Sequence, residues 1–309
     1  MTAAEFQTRF GIANVLRFED MPSGLIRAVI SGPQAGATVY LHGAHITSWT
    51  PRAQQPVLFT SSRSHFEKGT PIRGGAPIVF PWFGPRADGV PGPLHGFARI
   101  VEWSLESARL RSDGAVELSL ALAPNEVSRA LGYHSFQLRF HVVLGAALEM
   151  ELEVHNRLAT PFRFEEAFHT YFAVGDARRV CVTGLEDTTY VDKTAASTRK
   201  QSPRPICIAQ ETDQVHLNTT STCEIHDPVW RRTIVVEKMG SDTTVVWNPW
   251  IDKNRTIADM APDDWQGMLC LETANALDNA VVLPVGDVHT MRTTVRIKSG
   301  DGDIDNHGV

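Results

Sequence analysis

The sequence predicts an all-β fold, a large antiparallel β-sandwich, on three observations. Apolar residues recur at every second position over several long stretches. No long segment carries an apolar stripe at helical spacing. A turn signal at glycine separates two consecutive alternating stretches. Alternation gives each strand one core face and one outward face, whereas repeated βαβ units would require helical stripes between the strands.

The elements follow in order. Val116, Leu118, Leu120 and Leu122 share one strand face. Phe136, Leu138, Phe140, Val142 and Leu144 repeat the pattern. The chain then turns near Gly145 and returns through Leu148, Met150, Leu152 and Val154. Residues 233–238, 243–247 and 291–297 are further strand candidates. The chain has 309 residues, 42% of them hydrophobic, enough for a sizeable core. No proline- or serine-rich linker marks a boundary. A single domain over 1–298 is expected, with an acidic, glycine-rich disordered tail over 299–309.

Composition narrows the function classes. A net charge of −6 argues against a protein that holds nucleic acid by bulk electrostatics. No apolar run reaches membrane-spanning length, and 1–7 does not read as a secretory signal. The four cysteines, at 181, 207, 223 and 270, form no CxxC pair and signal no disulfide framework. A reducing cytoplasm is the simplest compartment for such a chain. A monomer is the expected state.

One loop concentrates the informative residues. Arg73-Gly74-Gly75 leads into Phe80-Pro81-Trp82-Phe83-Gly84-Pro85, and His95-Gly96-Phe97-Ala98-Arg99 follows. Prolines restrict this backbone and glycines allow close approach, which suits a preformed cleft with a cationic rim. Arg73 and Arg99 could pair with an anion such as phosphate, or form ordinary surface salt bridges. Trp82 and Phe83 could give that cleft an apolar face, and core packing is slightly favoured for both.

Two more segments carry candidate chemistry. If 164–172 is one strand, Phe168, Thr170 and Phe172 lie on one face and His169 and Tyr171 on the other. His169 is suited to proton transfer near neutrality, or is a satisfied structural histidine. Glu272 ends an apolar run, as either a buried base or a solvated strand-end carboxylate. His42, His45, His65 and Glu67 lack metal-ligand spacing, so no metal is expected. Without GxGxxG, a P-loop or GxSxG, no organic cofactor and no serine nucleophile are expected.

In the stretches Ile72-Arg73-Gly74-Gly75-Ala76-Pro77, Phe80-Pro81-Trp82-Phe83-Gly84, His95-Gly96-Phe97-Ala98-Arg99 and Phe168-His169-Thr170-Tyr171-Phe172 the chain resembles the aldose 1-epimerase superfamily. Glu211-Thr212-Asp213, Val246-Trp247-Asn248-Pro249-Trp250 and Leu271-Glu272-Thr273-Ala274-Asn275 extend the likeness in the family's order. Within the superfamily it is similar to the hexose-6-phosphate mutarotase branch. The resemblance implies a sandwich of the galactose-mutarotase type. It also implies cofactor-independent exchange of the α and β anomers of a hexose 6-phosphate, such as D-glucose 6-phosphate.

By the same resemblance His169 is the general acid and Glu272 the general base. Arg73 and Arg99 contact the substrate, mainly its phosphate. Asp213 binds sugar hydroxyls, and His95 contacts the sugar or supports the site. Some relatives carry glutamine where this chain has Leu94, which removes one polar contact. The chemistry calls for an ionised Glu272 and a protonated His169 on opposite sides of the hemiacetal. A mutarotase for unphosphorylated aldoses and a noncatalytic carbohydrate-binding protein are the alternatives.

Overall fold

The alternating stretches form the strands that their period demands. In the computed structural model, which describes residues 1–300, Val116–Leu122, Phe136–Leu144 and Leu148–Asn156 pair as a meander. They belong to a nine-stranded sheet that continues through Val288–Ser299 and Arg232–Met239. An eight-stranded sheet faces it and has Met268–Asn275 near its centre, between Thr243–Asn248 and Glu166–Phe168. Phe140 of the first sheet meets Phe168 of the second at 5.8 Å between ring centroids. One apolar core joins Leu118, Leu138 and Leu152 to Val246, Leu269 and Leu271. A four-stranded N-terminal meander, Leu16–Asp20 to His45–Pro51, completes the main architecture. Every ladder between named strands is antiparallel. Helices are short, the longest being Ala3–Phe10 with a Thr2/Glu5 capping box.

Four expectations change. The stretch around His169 is not one strand. Glu166–Phe168 and Tyr171–Ala173 are separate, because the backbone N–H groups of His169 and Tyr171 donate to Pro77 and Gly75 of the glycine-rich loop. The side chains still sort as expected, with His169 stacked on Tyr171 at 4.9 Å and Phe168 and Phe172 in the core. Glu272 does not end its strand. It sits mid-strand opposite Val245, and pairing runs on to Asn275.

Cys181 and Cys207 are disulfide-bonded. Their strands pair with these two residues directly opposite, a juxtaposition that no local spacing announces. Disulfides persist mainly in oxidising compartments, so the cysteine argument for a reducing cytoplasm falls. No helix among the described residues is long and apolar enough to cross a membrane. The last strand includes Ser299, paired with Arg232, so the chain stays in the sheet one residue beyond the expected limit. The rest of the expected tail, from 301 on, lies outside the described residues.

Candidate active site

Period-two geometry builds the floor of the site. Leu269 and Leu271 point into the sandwich core, which sends Cys270 and Glu272 to the opposite face. Val245 and Trp247 leave the neighbouring strand on that same face, and Asp213 leaves the next one, directly opposite Trp247. These side chains meet a cleft of about 420 Å³ lined by Arg73, Phe83, Leu94, His95, His169, Tyr171, Lys193, Asp213, Val245, Trp247, Lys253 and Glu272, among others.

The wall opposite the sheet is the proline-glycine loop. Gly96 has φ +73°, and a Cβ there would overlap the Phe80 carbonyl, so the close approach requires glycine. His95 is also left-handed, at φ +62°, an uncommon state for a residue other than glycine. Two contacts hold it there. Its backbone N–H donates to the Gly84 carbonyl at 2.7 Å, and its Nδ1 accepts from the Gly84 N–H at 3.2 Å. The neutral imidazole therefore carries its hydrogen on Nε2. The Phe83 N–H donates to Glu165 Oε2 at 2.9 Å, which anchors the other end of the loop.

At the floor, His169 Nε2 lies 3.4 Å from Glu272 Oε1. The two groups stand side by side rather than on opposite sides of an open space. Glu272 is 1% exposed and His169 7%. Burial holds the Glu272 carboxyl well above the usual carboxylate range. Nearby Asp213 adds to the rise, and Lys193 and Arg99 oppose it. Burial also holds His169 well below its ordinary value, and Arg99 and Arg73 push the same way. Both shifts run away from the expected resting pair of carboxylate and imidazolium and toward an uncharged pair, because a low-dielectric floor disfavours both charges. The proton count is the same, since one proton is shared between two basic sites.

The sequence-derived candidates separate on inspection. Arg73, His95, His169, Asp213 and Glu272 all line the cleft. Arg73 donates from Nε to Asp259 at 3.1 Å and from Nη1 to the Tyr171 hydroxyl at 3.1 Å. Among the described residues none accepts from its Nη2. Arg99 does not line the cleft. It is buried behind the loop, where Nη2 donates to the Leu94 carbonyl at 2.9 Å, and burial lowers its pKa to about 10. Trp82 is core, with its Nε1 donating to the Pro93 carbonyl, whereas Phe83 forms part of the cleft wall. Leu94 stands at the cleft, 58% exposed.

With this geometry in place, the profile of the aldose 1-epimerase family matches residues 28–296. The chain belongs to the aldose 1-epimerase family. It is 35% identical over 263 residues to a protein of Escherichia coli K12 that carries the provisional name glucose-6-phosphate 1-epimerase, covering 84% of this chain and 87% of that one. A Salmonella typhimurium protein with the same provisional name is 37% identical over 250 residues, with 80% and 82% covered. A crystal structure of a provisionally assigned mutarotase from Salmonella typhimurium superposes with a TM-score of 0.87 at 32% identity, over 94% of this chain and 96% of that one.

Within this epimerase-family cleft, sequence reasoning missed Lys193, Lys253 and Trp247. Lys193 follows Asp192, which caps a short 3₁₀ turn through the Thr194 N–H, and its ammonium lies 5.2 Å from the Phe83 ring centroid. Lys253 rides on the helix Trp250–Thr256 just past the Trp247-Asn248-Pro249-Trp250 motif, which was its available signal. His42 and His45, weighed as ligands above, instead pair with separate backbone carbonyls, those of Thr70 and Gly74.

Proposed function

We propose that this cleft interconverts the α and β anomers of a hexose 6-phosphate, with D-glucose 6-phosphate as the first substrate to test. The observation that carries the reading is the His169–Glu272 contact of 3.4 Å on the floor of a cleft rimmed by Arg73, Lys193 and Lys253. The anomeric hydroxyl and the ring oxygen are bonded to the same carbon. Adjacent groups can therefore address both oxygens at once, and opposed groups are unnecessary.

In the ionised form of the pair, Glu272 takes the proton of the anomeric hydroxyl and a C1 carbonyl forms. The bond from C1 to the ring oxygen breaks, and its electrons go to that oxygen, which takes the proton on His169 Nε2. Ring opening thus converts the ionised pair into the uncharged one that burial favours. Rotation about C1–C2 presents the other carbonyl face. The ring oxygen then attacks C1 and returns its proton to His169, while Glu272 reprotonates O1. No cofactor enters this scheme. His95 offers its Nε2–H to the sugar, Asp213 takes hydroxyl hydrogen bonds, and Phe83 and Trp247 give apolar walls.

Arg73 grips the phosphate through its Nη2 edge, with Lys193 and Lys253 as point charges. The phosphate does not react, so its binding energy is available to orient C1 over the pair. Arg99 acts from behind, by fixing the Leu94 carbonyl and adding positive potential near His169. Arg73→Ala is expected to cut kcat/KM for glucose 6-phosphate about 10- to 100-fold, the scale of a lost charged hydrogen bond. Turnover of free glucose should change far less. Anomer exchange followed by NMR, with the spontaneous rate subtracted, reads both. Equal losses on the two sugars would overturn phosphate recognition by Arg73.

The pH profile gives a second check. The active pair holds one proton, so activity is lost to a second proton in acid and to deprotonation in base. Depression of His169 places the acid limb well below the ordinary imidazole value of about 6.5. Elevation of Glu272 moves the alkaline limb well above the ordinary carboxylate value of about 4.3. Free glucose is the substrate to use, because the phosphate ester itself titrates near about pH 6. An acid limb centred at pH 6.5 or above would contradict this assignment.

A further inference from the structure

Beneath the acid–base pair lies a thiol that neither proton transfer uses. Cys270 precedes Glu272 by two residues on one strand, so both side chains leave the same face. Tyr171, on which His169 stacks, is directly opposite Cys270 in the ladder. One donor atom from each of His169, Cys270 and Glu272 lies within 4.8 Å of the other two. All three residues are buried, and His169 Nδ1 and Glu272 Oε2 have no hydrogen-bond partner. Buried polar atoms are normally satisfied, and the free Oε2 leaves the Glu272 carboxylate an acceptor site that its contact with His169 Nε2 does not use.

We propose that His169, Cys270 and Glu272 form a binding site for a thiophilic divalent cation of the Zn²⁺ class, which occupies the acid–base pair and stops turnover. Three protein ligands of the N, S and O types, with a fourth position open to a cleft, are a set that Zn²⁺ accepts. The charges balance. A thiolate and a carboxylate offset the 2+ ion and the imidazole stays neutral, so the filled site adds no net charge to the buried floor. Loading releases the thiol proton and the proton shared by His169 and Glu272. Arg73 and Arg99 oppose a cation here, and Asp213 favours one.

The geometry needs little adjustment. Zn²⁺ bond lengths place tetrahedral donors about 3.3–3.8 Å apart. The 3.4 Å between His169 Nε2 and Glu272 Oε1 already fits, and Cys270, within 4.8 Å of both groups, has to close by at most about 1 Å. Sulfur selects against Mg²⁺ and Ca²⁺, which prefer oxygen. The other cluster of this kind among the described residues is His141, Glu151 and Glu153. It is half-exposed, and Arg292 and His155 already engage its two carboxylates. The inhibitory consequence rests on the proposed function, whereas the binding does not.

Co²⁺ titration of the full chain tests the site, because a thiolate ligand gives a charge-transfer absorption that oxygen and nitrogen ligands do not. One equivalent should bind with that band. Zn²⁺ should displace it and Mg²⁺ should not. Cys270→Ser should lose the band and weaken binding by about tenfold or more, while Cys223→Ser keeps both. Cys270→Ser should retain anomer exchange and resist Zn²⁺ inhibition. No charge-transfer band, or one that survives Cys270→Ser, overturns the site. If Cys270→Ser does not fold, His169→Asn replaces it, and undiminished Co²⁺ affinity in that variant overturns the site equally. Cys270-dependent binding to a chain with no anomer exchange upholds the site and overturns the proposed function instead.

Discussion

Glu272→Gln and His169→Asn are each expected to lower kcat/KM for anomer exchange by about 10²- to 10⁴-fold, the usual contribution of a positioned proton-transfer group. Glutamine matches glutamate in size and shape and asparagine is smaller than histidine but still polar, and neither side chain belongs to the apolar core, so the sheets should fold as before. The two losses should not add. The groups share one proton, and removing either partner disables the same exchange. Near-parental exchange in both purified variants would sink the assignment.

The Glu272 variant carries a second signature, which reads the burial of the carboxyl through stability rather than activity. The folded-state pKa of Glu272 is raised above its unfolded value. Its stabilising contribution is therefore complete below the unfolded value and is lost as pH rises through the folded one. Glutamine cannot ionise. Glu272→Gln should gain stability relative to the parent as pH rises, while its activity stays low at every pH. Thermal unfolding measured across pH reads the trend, and a constant difference in Tm would contradict the buried, elevated carboxyl.

The second large effect falls on stability. Arg232→Met is expected to destabilise the fold by about 3–5 kcal/mol, the scale for breaking a buried charged network. Arg232 donates to the carbonyls of Gln55 at 3.0 Å, Pro56 at 2.9 Å and Ala173 at 2.7 Å. It faces Asp227, which is fully buried and accepts from the N–H groups of Gly175, Val229 and Trp230. Methionine fills the space but leaves three carbonyls without a donor and Asp227 without its cation. Ala173 ends the strand that begins at Tyr171, so the damage reaches the platform on which His169 stacks. Urea unfolding should show a lower midpoint at unchanged slope. An unchanged midpoint would mean the network contributes nothing net.

Much of this was legible before any coordinates. Alternation in 116–122, 136–144 and 148–154 places its strands well, because a period of two is a local property of the chain. The segments that line the cleft were likewise recognisable as motifs around Arg73, His95, His169, Asp213 and Glu272. What stayed hidden depends on which strands become neighbours. Cys181 meets Cys207 through a strand pairing that nothing near either residue encodes. Lys193 and Lys253 reach the rim from a turn and a helix whose own patterns look like ordinary surface.

By itself, then, the sequence determined the β class, the long strands and the residue types available for acid–base chemistry. It could not assign Arg99 to the loop's back rather than the cleft, since the two places differ only in what packs against them. Nor could it set the protonation of the pair. Composition names a carboxyl and an imidazole, but the dielectric around them is made by the whole sandwich. Only the tertiary structure puts His169 and Glu272 at 3.4 Å on a buried floor, where the carboxyl is pushed up and the imidazole down because water is no longer there to stabilise the ions.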